Sequence, residues 1–476
     1  MLVISEKIFN RLMEEKVNYC HWKSNEHLEE GLNGETDLDI LVSEADKNRF
    51  ANILIECKCL KVQPQYGSRY PKVEEWIGFD DETGKLIHWH VHFRMITGTK
   101  HLKEYVFPWH QLALDTKIPD ESGKVYIIEP NLELVILYMR IVLKQQTIEE
   151  TNRFVLDSDY RKEIQWLKQG VNSDSLSKLL NCIWKEKQDE VLTILMKTNP
   201  SKKDFAAFQK LTKEKAQSMK TGSAVGNAFL YRVRSQSVST KRLIKRKCGL
   251  VPFSTLKTLN GRGVIFAFIG CDGSGKSNVT DQICKWLGWK LDCQNFYFGM
   301  GERYKKPLIY KMAQSHIMPE TLRRVCNMLF YFQISVRCKR LRRQMDRYVG
   351  KGGIAICDRY PQAQVKGIYD GPKIQALHLC NDTVIGKLLA HIEEKNISET
   401  ASKRVDGMFK LILPAEAALK RSPGHHFQEV KRKAKITKKL QFANADVFEI
   451  DATQYLEDEL LEIRRIIWNK LLEGQQ

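Results

Sequence analysis

The stretch Gly270-Cys271-Asp272-Gly273-Ser274-Gly275-Lys276-Ser277 decides the fold of the second half of the chain. It fits the pattern G-x-x-x-x-G-K-[ST] at every fixed position, with an apolar run at residues 264–269 before it and helical spacing from Ser277 onward. In such a loop the backbone N–H groups curl around a β-phosphate, and the partial positive charge of a helix N-terminus adds to them. The pattern therefore predicts a phosphate-binding loop between a strand and a helix.

The residue types in this loop indicate what each position binds. Lys276 is expected to reach the β- and γ-phosphates of ATP, and the Ser277 hydroxyl is expected to ligate Mg²⁺. The sequence therefore predicts ATP and Mg²⁺ as cofactors. The predicted nucleotide-binding residues are Gly270, Gly273, Ser274, Gly275, Lys276, Ser277 and Asn278.

Further apolar runs follow the loop along the chain. Residues 354–357 and 409–413 have the pattern of buried strands, and each precedes a loop or helix. Continuous apolar strands that alternate with helices are typical of a parallel sheet covered on both faces. We therefore predict an α/β domain, a P-loop doubly wound parallel sheet, over residues 261–476.

Three segments of this domain resemble the thymidylate kinase family. They are the loop FIGCDGSGKS with Asp272 inside it, the strand end GGIAICDRY with Asp358-Arg359-Tyr360, and LILPAEAALKRS at residues 411–422. The resemblance implies ATP-dependent phosphorylation of a nucleoside monophosphate, with conversion of dTMP to dTDP as the favoured reaction.

The resemblance also implies roles for single residues. Arg359 would hold the phosphate of the acceptor, since its planar fork suits a bidentate phosphate contact. Asp272 would lie between the phosphate loop and the acceptor sugar, while Arg421 and the basic run 431–433 would belong to a lid over ATP. The predicted catalytic residues are Lys276, Arg359, Asp272 and Arg421, and Asp358 joins Ser277 as a predicted metal-site residue.

The resemblance weakens where the family recognises the base of its acceptor. Arg337 lies about where the family has a base-contacting arginine, but it stands among other arginines and fits a solvated basic face as well. Gln333 replaces the aromatic residue expected four positions earlier, and the segment after Tyr360 reads PQAQVKGIYDGP instead of a polar, Ser-containing helix.

Two other functions therefore stay open. One is a kinase or nucleotidyltransferase pair that acts on a non-nucleotide acceptor such as a sugar phosphate. The other is a non-catalytic, ATP-binding regulatory protein that contacts nucleic acid.

The first part of the chain carries a separate pair of carboxylates. Asp37 and Asp39 are two apart in a predicted strand at residues 37–42, so they project to the same face. Paired carboxylates can hold Mg²⁺ against a triphosphate, and both are predicted metal-site residues. With Trp22-Lys23-Ser24 and Gly34 upstream, the arrangement resembles the nucleotidyltransferase superfamily, which implies an α+β domain over residues 1–145.

A predicted hairpin follows this pair, with arms at residues 72–79 and 86–94. On its second arm His88, His90 and His92 share a face, and no Asp or Glu lies on that face of the arm. The superfamily normally adds a third carboxylate from a neighbouring strand. Its apparent absence favours a degenerate or binding-only domain, while an active transferase and a mixed His/Asp metal site stay open.

Residues 146–260 are predicted to form a helical connector that ends in a basic linker. Residues 228–247 mix apolar side chains with Lys and Arg, which suits an anionic surface or nucleic acid. A solvated connector is the favoured interpretation of this segment.

The composition of the whole chain agrees with a folded, multidomain protein. Its 476 residues are 43% hydrophobic and 28% charged, with a formal net charge of +19 that favours acidic partners such as nucleotides. The 12 cysteines include no C-x-x-C pair and suggest a reducing compartment. Because no apolar run approaches the length of a membrane span and no signal peptide is evident, we expect a cytoplasmic protein with nucleotide substrates. A homodimer is left open.

Overall fold

The computed structural model groups the chain into two compact units, Met1–Thr255 and Leu256–Gln476. Within the first unit, the helices between residues 158 and 218 share a core with residues before 145. The predicted boundaries at 145 and 260 stay a prediction. The basic linker at residues 228–247 lies outside the described residues. The structure describes residues 1–64, 69–99, 102–144, 158–222, 256–301, 303–380, 383–424 and 426–474.

The first unit is built on a mixed sheet. Its strands are β1 (Tyr19–His21), β2 (Asp37–Val42), β3 (Leu60–Gln63), β4 (Val73–Phe79), β5 (Leu86–His92), β6 (Ile96–Thr97), β7 (Tyr105–Val106), β8 (Ile118–Pro119) and β9 (Tyr126–Ile127). The sheet runs β3-β4-β5-β2-β1-β9-β8, and β6 pairs with β7 apart from it. The pairs β2–β5 and β1–β9 are parallel and the other pairs are antiparallel. The predicted strand 37–42 and the predicted hairpin are thereby confirmed.

Helices cover this sheet and extend its core. They are α1 (Val3–Glu14), α2 (Leu28–Leu32), α3 (Lys47–Glu56), α4 (His110–Asp115), α5 (Pro130–Leu143), α6 (Ser158–Gly170), α7 (Ser173–Trp184), α8 (Gln188–Met196), α9 (Lys202–Leu211) and α10 (Lys213–Ser218). Pro130 opens α5, where the Glu129 carboxylate accepts a hydrogen bond from the Leu132 N–H. Because α6 to α9 contribute to the same core, α5 is buried on almost every side.

The second unit contains a fully parallel sheet. The strands of this unit are β10 (Thr258–Leu259), β11 (Ile265–Gly270), β12 (Cys293–Tyr297), β13 (Ile354–Asp358), β14 (Gly407–Ile412) and β15 (Val447–Asp451). The parallel sheet is formed by β11 to β15, and β10 is not part of it. The order of the sheet is β12-β13-β11-β14-β15, with every neighbouring pair parallel. The predicted parallel α/β sheet is confirmed here. The order places β11 between β13 and β14, so the loops after these three strands meet at one edge.

Helices pack on both faces of this sheet. They are α11 (Lys276–Leu287), α12 (Leu308–Ala313), α13 (Glu320–Val349), α14 (Val384–Ala401), α15 (Ala415–Arg421), α16 (Phe427–Lys439) and α17 (Leu456–Glu473). Ile265, Ala267 and Ile269 face a core that includes α13. Phe268 points to the opposite face and stacks on Phe409 at 4.7 Å between ring centroids. None of the helices within the described residues is both long and apolar enough to cross a membrane.

Candidate functional site

The predicted phosphate loop joins the end of β11 to the start of α11. Gly273 and Gly275 both have φ near +83°, a conformation that side chains rarely adopt. A Cβ atom at Gly273 would also lie 2.4 Å from the carbonyl oxygen of Ala418 on α15. The two glycines therefore let the loop curl tightly and let α15 pack directly against it.

Lys276 is buried at the beginning of α11, and its ammonium points back into the loop. Its Nζ donates to the carbonyl oxygens of Gly270 at 2.9 Å and Cys271 at 2.6 Å. Burial, together with the nearby charge of Arg359, lowers the pKa of Lys276 to about 8. The lysine is thus held by loop carbonyls at a position where an anionic ligand would favour its charged form.

The predicted metal residues of this unit, Ser277 and Asp358, contact each other. The Ser277 hydroxyl donates to Asp358 Oδ2 at 2.7 Å. Asp358 is fully buried at the end of β13, and its Oδ1 has no hydrogen-bond partner among the described residues. A hydroxyl beside a carboxylate with an unused oxygen is a donor set that suits hydrated Mg²⁺, so these residues fit the ion that the loop implies.

Arg303, in the segment after β12, is a residue of this site that the sequence analysis missed. One of its Nη atoms lies 3.4 Å from Asp358 Oδ2, and the other donates to the Ser277 carbonyl oxygen at 3.2 Å. It also pairs with Asp281 on α11. No motif surrounds Arg303, and only the fold brings it to the carboxylate.

The predicted acceptor residue Arg359 follows β13 directly and has a positive φ of 69°. An arginine rarely adopts this conformation, which concentrates at functional sites. Its guanidinium donates to Asp272 Oδ1 at 3.1 Å, and Lys433 Nζ on α16 lies 2.5 Å from Asp272 Oδ2. Burial alone would raise the pKa of Asp272, but Lys433 and Arg359 hold it far below its ordinary value. Asp272 thus joins the phosphate loop to the predicted acceptor arginine and to the predicted lid.

A small pocket opens beside Arg359 and Lys276. Tyr369 and Asp370 line it, together with Gln362, from the segment after Tyr360 that departs from the family pattern. Burial raises the pKa of Asp370, although the charges of Arg359, Lys373 and Lys276 act against this. Asp370 was not singled out from the sequence, where it appears as an ordinary loop acid.

The remaining predicted residues of this unit are placed differently. Arg421 is exposed at the end of α15, and its charge acts on Glu459 of α17. Lys431 and Arg432 are exposed, so Lys433 is the member of the basic run that reaches the loop. Asn278 is exposed in the first turn of α11. The functions predicted for Arg421 and Asn278 remain predictions.

Arg337 corrects one interpretation. It is half-buried and donates to the Tyr297 carbonyl oxygen at 2.6 Å and to the Gly299 carbonyl oxygen at 3.3 Å. Its guanidinium also lies 4.5 Å from the centroid of the Tyr304 ring. Arg337 is therefore not one member of a solvated basic face, because it anchors the loop that follows β12.

The second candidate site is a polar face on the sheet of the first unit. The parallel register of β2 and β5 places Asp37 beside His88 and Asp39 beside His90. The antiparallel register of β4 and β5 adds Glu75 opposite His90. The second arm itself carries no carboxylate on this face, as stated above, but the first arm, which the sequence analysis did not consider, contributes Glu75. The alternation of side chains along the predicted hairpin could have identified Glu75, because it places this residue on the same face as His90.

The side chains of this face form a continuous network. His88, which is buried, contacts Asp37 Oδ1 at 2.7 Å through Nδ1 and Glu75 Oε2 at 2.6 Å through Nε2. Burial would lower the pKa of His88, but Glu75 and Asp37 raise it. Asp39 Oδ1 lies 2.8 Å from His90 Nδ1. Asp37 and Asp39, which were predicted to bind one metal ion together, thus contact different histidines.

Comparisons with known proteins relate part of the chain to others. No family model matches it. It is 26% identical over 204 residues to "Uncharacterized ATP-binding protein YghR" of Escherichia coli strain K12, a match that covers 40% of this chain and 80% of that protein. It is 26% identical over 215 residues to "Uncharacterized ATP-binding protein YghS" of the same strain, covering 42% of this chain and 89% of that protein. The chain is thus similar to proteins named for ATP binding.

Among solved structures, the chain matches that of a deoxyadenosine kinase from M. mycoides with bound dATP. The TM-score is 0.29 at 15% sequence identity, and the match covers 42% of this chain and 97% of the kinase. A structure of the same kinase with bound dCTP gives a TM-score of 0.28 at 16% identity.

Proposed function

We propose that the second unit transfers the γ-phosphoryl group of ATP to a nucleoside monophosphate. The observation that carries this proposal is the meeting of Lys276, the Ser277–Asp358 pair and Arg359 at one edge of a parallel sheet. Ligands of open α/β sheets gather at the carboxyl ends of the strands, where all of these residues lie. The similarity to proteins named for ATP binding supports the choice of donor.

The donor half of the reaction uses the phosphate loop. The glycine-rich turn aims backbone N–H groups at the β-phosphate, and Lys276 exchanges its carbonyl contacts for the β- and γ-phosphate oxygens. Ser277 and Asp358 would hold Mg²⁺, which neutralises charge on the transferring phosphoryl group when it is bound. Arg303, which lies against the same carboxylate, can place a second positive charge at this point.

The acceptor half uses Arg359. Its guanidinium is oriented by Asp272, so it can hold an acceptor phosphate in line with the γ-phosphorus of ATP. An oxygen of the acceptor phosphate then attacks the γ-phosphorus, the bond to the bridging oxygen breaks, and ADP leaves. Lys433 connects the predicted lid to Asp272, so closing of the lid and seating of the acceptor share one carboxylate. The family resemblance makes dTMP the favoured acceptor.

A second candidate acceptor is one that presents a hydroxyl group. Asp370 lies in the pocket beside Arg359 and Lys276, where burial raises its pKa above the ordinary value of a carboxyl group. A carboxylate there suits removal of a proton from an alcohol, and it would repel an acceptor phosphate. The acceptor would then be a non-nucleotide such as a sugar or sugar phosphate, with a hydroxyl group and not a phosphate beside Asp370.

A panel of acceptors separates these functions. The full-length chain is incubated with ATP and Mg²⁺ and with dTMP, other nucleoside monophosphates, nucleosides, sugars or sugar phosphates, and ADP release is measured. We expect turnover with a nucleoside monophosphate that is impaired by Arg359→Ala more than by Asp370→Asn. Turnover restricted to hydroxyl acceptors, with Asp370→Asn as the more damaging change, would replace the first proposal by the second.

A further inference from the structure

We propose that the first unit binds a divalent transition-metal ion, with Zn²⁺ as the best match, through Asp39, His90 and His92. This site is distinct from the ATP and Mg²⁺ site proposed for the second unit. It also differs from a magnesium site made by Asp37 and Asp39, because it uses only one of the two carboxylates.

Three ligand atoms converge with the spacing of a coordination shell. Asp39 Oδ1 lies 2.8 Å from His90 Nδ1 and 3.4 Å from His92 Nε2, and the two imidazole nitrogens are 3.4 Å apart. Ligands placed about 2.0–2.1 Å from a tetrahedral Zn²⁺ ion lie roughly 3.3–3.4 Å from each other. Two of the three separations match this spacing, and the hydrogen-bonded Asp39–His90 pair would open by about 0.5 Å when the ion replaces its proton. The three atoms then outline one face of a tetrahedron and leave the fourth position for a ligand from solution.

The surroundings favour imidazole coordination through these nitrogens. His90 Nε2 lies 3.5 Å from Glu75 Oε1, so a proton on Nε2 has an acceptor and Nδ1 is left for the metal. A carboxylate behind a metal-bound histidine is a common arrangement that fixes the ring and its tautomer. His92 is buried, and its ring makes a T-shaped contact with Trp22 at 5.0 Å between centroids. Both rings are thus held in position before an ion arrives.

Lys23 is the competitor for this site. Its Nζ lies 2.8 Å from Asp39 Oδ1 and 4.9 Å from the centroid of the Trp22 ring. The ammonium neutralises the same oxygen that would ligate the metal, so binding of the ion must displace it. Removal of this charge should therefore strengthen metal binding, which an exclusively structural role of the histidines does not predict.

The donor set also selects among ions. Two imidazole nitrogens with one carboxylate oxygen suit Zn²⁺, Fe²⁺ or Co²⁺, whereas Mg²⁺ prefers an octahedral shell of oxygen atoms. Mg²⁺ in large excess should therefore not occupy the site.

The test uses the full-length chain after removal of metals with a chelator. Co²⁺ alone is titrated, and its visible absorption reports tetrahedral or five-coordinate binding; Zn²⁺ then displaces it at one equivalent, while excess Mg²⁺ does not. His90→Ala and His92→Ala are expected to weaken Co²⁺ binding by about a hundredfold or more, because each removes a direct ligand. Lys23→Met is expected to tighten binding about tenfold, since it removes a competing charge. His27→Ala, an exposed histidine of the same unit, is the matched control and should bind like the wild type.

Equal Co²⁺ affinity in the wild type and in the His90 and His92 variants would overturn the proposal. Intense near-ultraviolet charge-transfer absorption would also contradict it, because that absorption comes from cysteine thiolates. If the alanine variants fail to fold by circular dichroism, the Lys23→Met result decides, since this change adds no cavity at the histidines. Unchanged or weaker affinity in Lys23→Met would then count against the site.

Discussion

The two units assemble their candidate sites in different ways. In the second unit one continuous segment, residues 270–277, supplies the turn, the lysine and the hydroxyl. In the first unit the polar face takes Asp39 from β2, Glu75 from β4 and His90 from β5, so its composition depends on the register of three strands. A local motif carries its geometry in its spacing, whereas a register-dependent site exists only once the sheet is formed.

The charges of the two sites differ as well. The Lys276 ammonium donates its hydrogen bonds to neutral carbonyl oxygens, which an arriving polyphosphate can replace. On the face in the first unit, His88 and His90 already form hydrogen bonds with the carboxylates beside them. The difference predicts that substitutions in the loop remove activity with little loss of stability, while substitutions in the face reduce stability.

Lys276→Ala should have the largest effect. We expect the rate of phosphoryl transfer to fall on the order of a thousandfold, because the lysine ammonium stabilises negative charge on the β- and γ-phosphates in the transition state. The free energy of unfolding should change little, since the buried ammonium carries a cost of burial that the substitution removes. Steady-state turnover and denaturant unfolding measure the two quantities. Turnover close to that of the wild type would remove Lys276 from the mechanism.

Arg359→Ala should act on the acceptor more than on ATP. Loss of a charge-assisted contact to phosphate costs about 2–3 kcal/mol, which corresponds to roughly a hundredfold in kcat/KM for the acceptor. Arg324→Ala, which removes an exposed arginine from an ion pair on α13, is the matched control and should leave both KM values unchanged. An unchanged acceptor KM in Arg359→Ala would show that this arginine is structural.

Glu75→Gln tests the polar face of the first unit. The amide can keep only part of the contacts to His88 and His90, so we expect a loss of about 2 kcal/mol in the free energy of unfolding and no change in ATP turnover. The loss should depend on pH. The folded-state pKa of His88 is raised above its ordinary value of 6.5, so its stabilisation is full below that value and disappears as the pH rises through the folded-state pKa. Denaturant titrations of both proteins at several pH values check this, and a pH-independent difference would contradict it.

The pH dependence of ATP binding is the smallest predicted effect. The pKa of Lys276 is lowered to about 8 without ligand, and bound phosphates would raise it again. Above pH 8 binding therefore takes up a proton, and the affinity for ATP should fall by up to about tenfold per pH unit. Calorimetry between pH 7 and 9.5 measures the slope. Lys276→Met should bind more weakly and lose the slope, and an equal slope in that variant would assign the proton to another group.

The contrast also explains what the sequence could predict. The phosphate loop, the parallel sheet and the hairpin each follow from residue types at fixed short spacing. Their bounds shifted by only a residue or two, as when the predicted strand at 354–357 became Ile354–Asp358. The contact between Ser277 and Asp358 joins residues 81 positions apart. Each of them was predicted because it belongs to a motif, Ser277 to the phosphate loop and Asp358 to the strand end Asp358-Arg359-Tyr360.

The site residues that the sequence analysis missed, Glu75, Arg303 and Asp370, belong to no motif. Glu75 and Arg303 reach their sites through strand pairing and a loop path, and each is flanked by residues that carry no motif. Asp370 enters the acceptor pocket through a segment whose sequence departs from the family pattern. Side chains that depend on long-range packing are therefore visible only in the folded structure.

The most direct test of the account is a single-turnover transfer experiment. The full-length chain, in excess over ATP labelled at the γ-phosphorus, is mixed with Mg²⁺ and the best acceptor from the panel, and the label is followed over time. The account predicts that the label appears in the phosphorylated acceptor and that Lys276→Ala abolishes this transfer. Label that remains in ATP, or appears only as inorganic phosphate with every acceptor tried, would contradict the proposal that the second unit is a phosphotransferase.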